Sequence, residues 1–130
     1  LACDENIRQT RGQVAGIPAG VRRVVVPVGS GMSLAGVLHG LADAGLTIPV
    51  LGVVVGANPT RRLDEFAPAG WRDTVTLVPS GRDYHEAAPV TDIDGVRLDP
   101  LYEAKCIQFI EAGDLLWVVG LRATVQEVKA

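Results

Sequence analysis

Four short apolar runs constrain what this chain can fold into: Arg23-Val-Val-Val-Pro-Val28, Val50-Leu-Gly-Val-Val-Val55, Thr74-Val-Thr-Leu-Val78 and Leu115-Leu-Trp-Val-Val119. They are rich in β-branched residues, and three of the four are nearly continuously apolar rather than alternating. Strands covered on both faces of a parallel sheet read this way, because neither face meets water. Parallel strands need long crossovers, and the segments between the runs supply them. Leu34, Val37, Leu38 and Leu41 fall at i, i+3, i+4 and i+7, one stripe of a helix lying on the sheet, with Gly45 as its stop. The expected fold is therefore α/β: a parallel sheet of about four strands with flanking helices, in three αβα layers.

The remaining segments are assigned by punctuation. Asn58-Pro59 opens a brief helix through about Phe66, cut short by Ala-Pro-Ala-Gly. Asp99-Pro100 reads as N-cap and first helical position of a helix that carries Tyr102, Cys106, Phe109 and Ile110 before Gly113. Between Ser80 and Leu98, Gly81, Pro89, Asp92, Asp94 and Gly95 interrupt any period, so a long loop is expected. Residues 1–20 read as an N-terminal helical lead-in, a possible remnant of a missing segment, and 21–130 as the α/β domain. With 130 residues, one domain is the natural reading.

Composition narrows the function classes. Twelve basic against fifteen acidic residues give a net charge of -3, without the basic stripe of a phosphate-backbone binder, which argues against nucleic-acid partners. No apolar run approaches the roughly 20 residues of a membrane span. Two cysteines, Cys3 and Cys106, make no disulfide framework or metal spacing, and no secretory pattern opens the chain, so a soluble protein of the reducing cytoplasm, with no metal, is expected.

The residues that carry chemistry are Gly29-Ser30-Gly31-Met32-Ser33, where the first strand hands over to the helix. First-turn amides there lack intrahelical partners and the helix dipole is positive. Gly29 and Gly31 let an anion approach the backbone, and Ser30 and Ser33 add hydroxyls. The spacing is neither GxGxxG nor a P-loop with its lysine. On the residues alone two readings stand: a phosphate cradle, or the tight turn of any α/β unit.

VVVPVGSGMSLAGVLHGL resembles the strand, GSGGT-type loop and helix that hold the cofactor phosphate in fold-type II pyridoxal-phosphate enzymes, the group of the tryptophan synthase β subunit. Leu98-Asp-Pro-Leu-Tyr-Glu-Ala-Lys105 resembles the LDPxYxxK element of the aminocyclopropane-carboxylate deaminase and D-cysteine desulfhydrase branch, and IPVLGVVV resembles the family's intervening strand. The resemblance spans about residues 20–122. It implies pyridoxal 5'-phosphate as cofactor, Gly29 to Ser33 as its phosphate site, a small amino acid as substrate, a lyase or deaminase reaction and an oligomer. It also implies a Schiff-base lysine from an N-terminal segment or companion subunit, so that this chain alone is catalytically silent. The chain departs from the pattern in three places. Met32 replaces the second Gly of the loop, the family's helix before LDPxY is missing, and Gly120 and Arg122 stand near the expected pyridine-ring neighbourhood in place of a Thr or Ser. Two other readings remain: a non-catalytic binding or assembly module that keeps the fold, and a nucleotide-binding α/β domain.

Among the other candidates, Lys105 is expected to be a surface or ion-pairing helix residue rather than the Schiff-base lysine. His39 is expected on the solvated face of its helix. Tyr84 and His85, with Asp83 and Glu86, form a titratable cluster on the long loop, read as a polar turn or a proton-transfer group. Arg61 and Arg62 are expected in solvent, and Trp71 and Trp117 in core gaps.

Overall fold

In the computed structural model, which describes residues 2–93 and 95–118, all four apolar runs form strands of one parallel sheet. They are β1 (Arg23–Val28), β2 (Val50–Val54), β3 (Val75–Pro79) and β6 (Asp114–Leu116), in the order β3-β2-β1-β6. β1 pairs with β2 from Val24↔Val50 to Val28↔Val54, and with β6 from Arg23↔Asp114 to Val25↔Leu116. The second pairing stops short of Pro27, whose missing N–H therefore breaks no bond of that ladder.

Both faces of the central strands are buried, which is why their sequences do not alternate. Val24, Val26 and Val28 face a core built with Leu34, Val37, Leu38 and Leu41 of α2 (Met32–Asp43). Val25, Leu51, Val53 and Leu116 face a second core with Leu98, Ala104 and Cys106. β3 is an edge strand, and its Thr76 and Pro79 are exposed. Trp71 and Trp117 both fill the first core, as expected. Trp71 also donates its indole N–H to Asp64 at 3.1 Å.

α2 ends as its sequence predicts. Gly45 takes φ +67°, Leu46 N–H reaches the Leu41 carbonyl at 2.9 Å and Gly45 N–H the Ala42 carbonyl at 3.1 Å, a Schellman closure. α1 (Ala2–Gln13) lies on the outer side of α2 at the positions of Gly36 and Gly40. A Cβ at Gly36 would stand 2.5 Å from Thr10 Cβ, so only glycine permits this approach of the two backbones. The Arg11 guanidinium closes on Asp43 across the helix pair, and that hydrogen bond holds the Asp43 carboxyl below its ordinary range. α3 (Thr60–Phe66) begins where Asn58 Oδ1 accepts the Thr60 N–H at 2.9 Å, the capping expected of Asn58-Pro59, and Arg61 and Arg62 are exposed on it.

Three local expectations are corrected. The segment after Asp99-Pro100 is not an α-helix reaching Gly113 but a 3-10 helix over Glu103–Phe109. Asp99 spends its carboxylate on the Leu101 N–H, 2.8 Å, and its carbonyl on Tyr102 and Ala104, making a turn where a cap was expected. The four successive residues Glu103 to Cys106 are all buried. The loop 80–98 contains a small antiparallel hairpin, β4 (Asp92–Ile93) with β5 (Val96–Arg97). His39 is half-buried rather than solvated, with Nε2 2.8 Å from the Phe66 carbonyl oxygen, tying α3 to α2. No helix among the described residues is long and apolar enough to cross a membrane.

Candidate functional site

In an open parallel sheet, ligands sit beyond the carboxyl ends of the strands where the strand order reverses. Here the chain runs outward from β1 through β2 to β3, then crosses back to place β6 on the other side of β1. The crevice therefore opens at the end of β1, and Gly29 to Ser33 occupy that end. Gly31 caps α2 at φ +93°, a conformation that favours glycine. Ser30 is exposed and its Oγ accepts the Met32 N–H at 3.4 Å. The first intrahelical bond runs from Ala35 N–H to the Gly31 carbonyl, so the amides of Ser33 and Leu34 precede it. Met32 contributes backbone only, because its side chain is 3% exposed against Ile7 and Ala35. That is the reason Met is accommodated where the resembling loop carries Gly.

The turn is flanked on three sides. A Cβ at Gly31 would lie 3.6 Å from Pro59 Cβ and from Leu63 Cδ2, at the start of α3. A Cβ at Gly56, just past β2, would lie 3.8 Å from Gly29 Cα. On the third side stands Tyr102, whose ring would meet a Gly29 Cβ at 3.3 Å. Its hydroxyl donates to the Pro27 carbonyl at 3.1 Å. Burial, reinforced by the nearby Glu103, pushes the Tyr102 phenol up to about 12, so it is a neutral donor at physiological pH.

Next to the turn, Val54 to Gly56 and Pro79 to Tyr84 enclose a cleft of about 370 Å³ at the carboxyl ends of β2 and β3. Tyr84 is 60% exposed and packs edge-on against His85, ring centroids 5.0 Å apart. Of the titratable cluster, Asp83 and Tyr84 line this cleft. Among the described residues, no three His, Cys, Asp or Glu side chains lie together as a metal site would require.

Lys105 is not at the surface. It is 1% exposed, and its ammonium donates to the carbonyls of Asp83 and Tyr84, each at 3.0 Å. Cys106 beside it is fully buried, and burial pushes its thiol well up. Gly120 and Arg122 lie outside the described residues. Sequence reasoning gave Tyr102 and Gly56 no role in the site. Their signals were the Tyr of the LDPLY element and a glycine at a strand end, like Gly29.

Neither protein-family models, nor characterised proteins, nor solved structures match this chain.

Proposed function

We propose that this chain is the cofactor-phosphate-binding part of a pyridoxal-phosphate-dependent lyase or deaminase-like enzyme acting on a small amino acid. One observation carries the reading. The two elements resembling that family, the Gly29 to Ser33 turn and the LDPLY element, are brought into contact through the Tyr102 hydroxyl at Pro27 and its ring at Gly29.

The donor set suits a phosphate: the amides of Ser33 and Leu34 and the hydroxyls of Ser30 and Ser33, at a helix N-terminus. When bound, the cofactor supplies the electron sink for breaking bonds at the α and β carbons of an amino acid. The chain's own share is to bind and orient it. Lys105 does not suit the covalent role, since both neighbouring carbonyls hold its buried ammonium. That lysine comes, in this reading, from another segment or a companion subunit.

Titration of the protein with pyridoxal phosphate tests this. Saturable binding is expected, displaced by inorganic phosphate, weakened at least about tenfold by Gly31→Ala through strain at positive φ, with Lys105 unmodified after borohydride reduction. Absence of saturable binding, or tighter binding of a nucleoside monophosphate than of pyridoxal phosphate, refutes the reading. The second outcome favours the nucleotide-binding alternative.

A further inference from the structure

The buried ammonium of Lys105 has no task in the phosphate site, and an ammonium taken from water must recover its solvation from fixed partners. Its partners are the carbonyls of two consecutive loop residues, Asp83 and Tyr84. Three residues on, Gln108 Nε2 donates to the Ser80 carbonyl at 2.7 Å, the other end of the same loop. Within the loop, Glu86 N–H returns to the Asp83 carbonyl at 3.0 Å, and Ser80 Oγ accepts the Arg82 N–H at 3.2 Å. The 3-10 helix therefore grips segment 80–84 at both ends, and that segment is one wall of the 370 Å³ cleft beside Gly56.

We infer that Lys105 is a positioning residue of the binding cleft: its ammonium fixes the 80–84 wall, and with it Tyr84, over the carboxyl ends of β2 and β3. A loop with an aromatic side chain 60% exposed does not hold its place by burial. Two charge-assisted hydrogen bonds to adjacent carbonyls orient it instead. The position of Tyr84 then follows from that grip, with a Gly56 Cβ site 4.0 Å from its Cδ1. The inference about the wall stands on these contacts. Its effect on ligand affinity rests on the pyridoxal-phosphate reading above.

The test compares Lys105→Met, which keeps the length and loses the donors, with wild type in two measurements. In amide exchange without ligand, the Arg82 and Glu86 amides should exchange at least about tenfold faster, while Val24 and Val26 in β1 keep their relative protection. In titration, pyridoxal phosphate should bind at least about tenfold more weakly, while inorganic phosphate, which needs only the Gly29 to Ser33 turn, changes less than about twofold. Equal acceleration of loop and β1 amides means a merely structural lysine and overturns the inference, as does an unchanged loop. If wild type takes no pyridoxal phosphate, the functional reading fails and the exchange comparison alone decides on Lys105. Should Lys105→Met not fold, amidination of wild type decides. Lys105 should react at least about a hundredfold more slowly in the native protein than in urea, and a rate near that of the unfolded chain overturns the inference.

Discussion

Among the described residues, Gly12, Gly36 and Gly40 sit in α-helices, and the structure assigns opposite signs to replacing Gly12 and Gly40. At Gly12, on α1, an added Cβ meets nothing within 4 Å. Gly12→Ala should therefore gain the helix preference of alanine, up to about 1 kcal/mol. At Gly40 the same methyl would lie 2.5 Å from Val14 Cβ and 2.9 Å from the Arg11 carbonyl oxygen. The first contact is with a Cβ set by the backbone of Val14, so no rotamer change relieves it. The second is backbone and yields only if α1 lifts away from α2. Overpacking of this kind costs about 1–3 kcal/mol, and the lost approach also weakens the burial of Ile7 and Val14. The propensity gain of about 1 kcal/mol offsets part of it, leaving a net loss of up to about 2 kcal/mol for Gly40→Ala. The damage should concentrate in α1, which is held by few buried side chains. Urea midpoints of the two variants against wild type, with amide exchange across residues 5–13, read both quantities. Gly12→Ala is expected above wild type and Gly40→Ala below it, with α1 amides opened. If Gly40→Ala is as stabilising as Gly12→Ala, α1 does not dock on α2 through this stripe and the packing argument is wrong.

Asp114, whose side chain has no exposure, receives Arg22, Arg23 and the Glu111 N–H. Asp114→Ala should cost about 3 kcal/mol, the low end for a broken buried pair because both arginines can turn toward water; a urea-derived loss under about 1 kcal/mol contradicts this. For Tyr102, the folded state prefers the neutral phenol, so its contribution is intact below the ordinary value of 10.0 and is lost as pH rises toward about 12. Comparing wild type with Tyr102→Phe between pH 8 and 12, wild type should lose up to about 3 kcal/mol more than the variant across that window; parallel curves would show that the hydroxyl is not buried at Pro27.

What was legible in the sequence were features with a residue-type period. The runs around Val24 and Val50 announced strands because both their faces are covered, and Leu34 to Leu41 announced a helix because one face is. The Gly29 to Ser33 turn was legible because glycine and serine at a strand-to-helix junction have few purposes. What escaped were contacts made to backbone. Lys105 on the Asp83 and Tyr84 carbonyls and His39 on the Phe66 carbonyl have partners that carry no residue identity, and lie 21 to 27 residues away in the chain. The docking of α1 escaped for a related reason: it depends on side chains absent from Gly36 and Gly40. Asp99-Pro100 misled because the same carboxylate that can cap a helix closed a turn instead.

The order β3-β2-β1-β6 also sets a sequence of events during folding. β1, β2 and β3 are chain neighbours, and each pairing closes only the length of one crossover. Joining Arg23 to Asp114 closes a span of 91 residues, at an added entropy of about 1 kcal/mol over the shorter closures. Three strands with α2 can thus assemble first, and β6 arrives last. Since β6 pairs with β1 beside the Gly29 to Ser33 turn and the 3-10 helix just before it bonds to the cleft wall, the candidate site is the last part of the described sheet region to form. A slow step or a destabilising change anywhere in residues 99–116 should therefore delay binding competence while leaving most of the sheet formed.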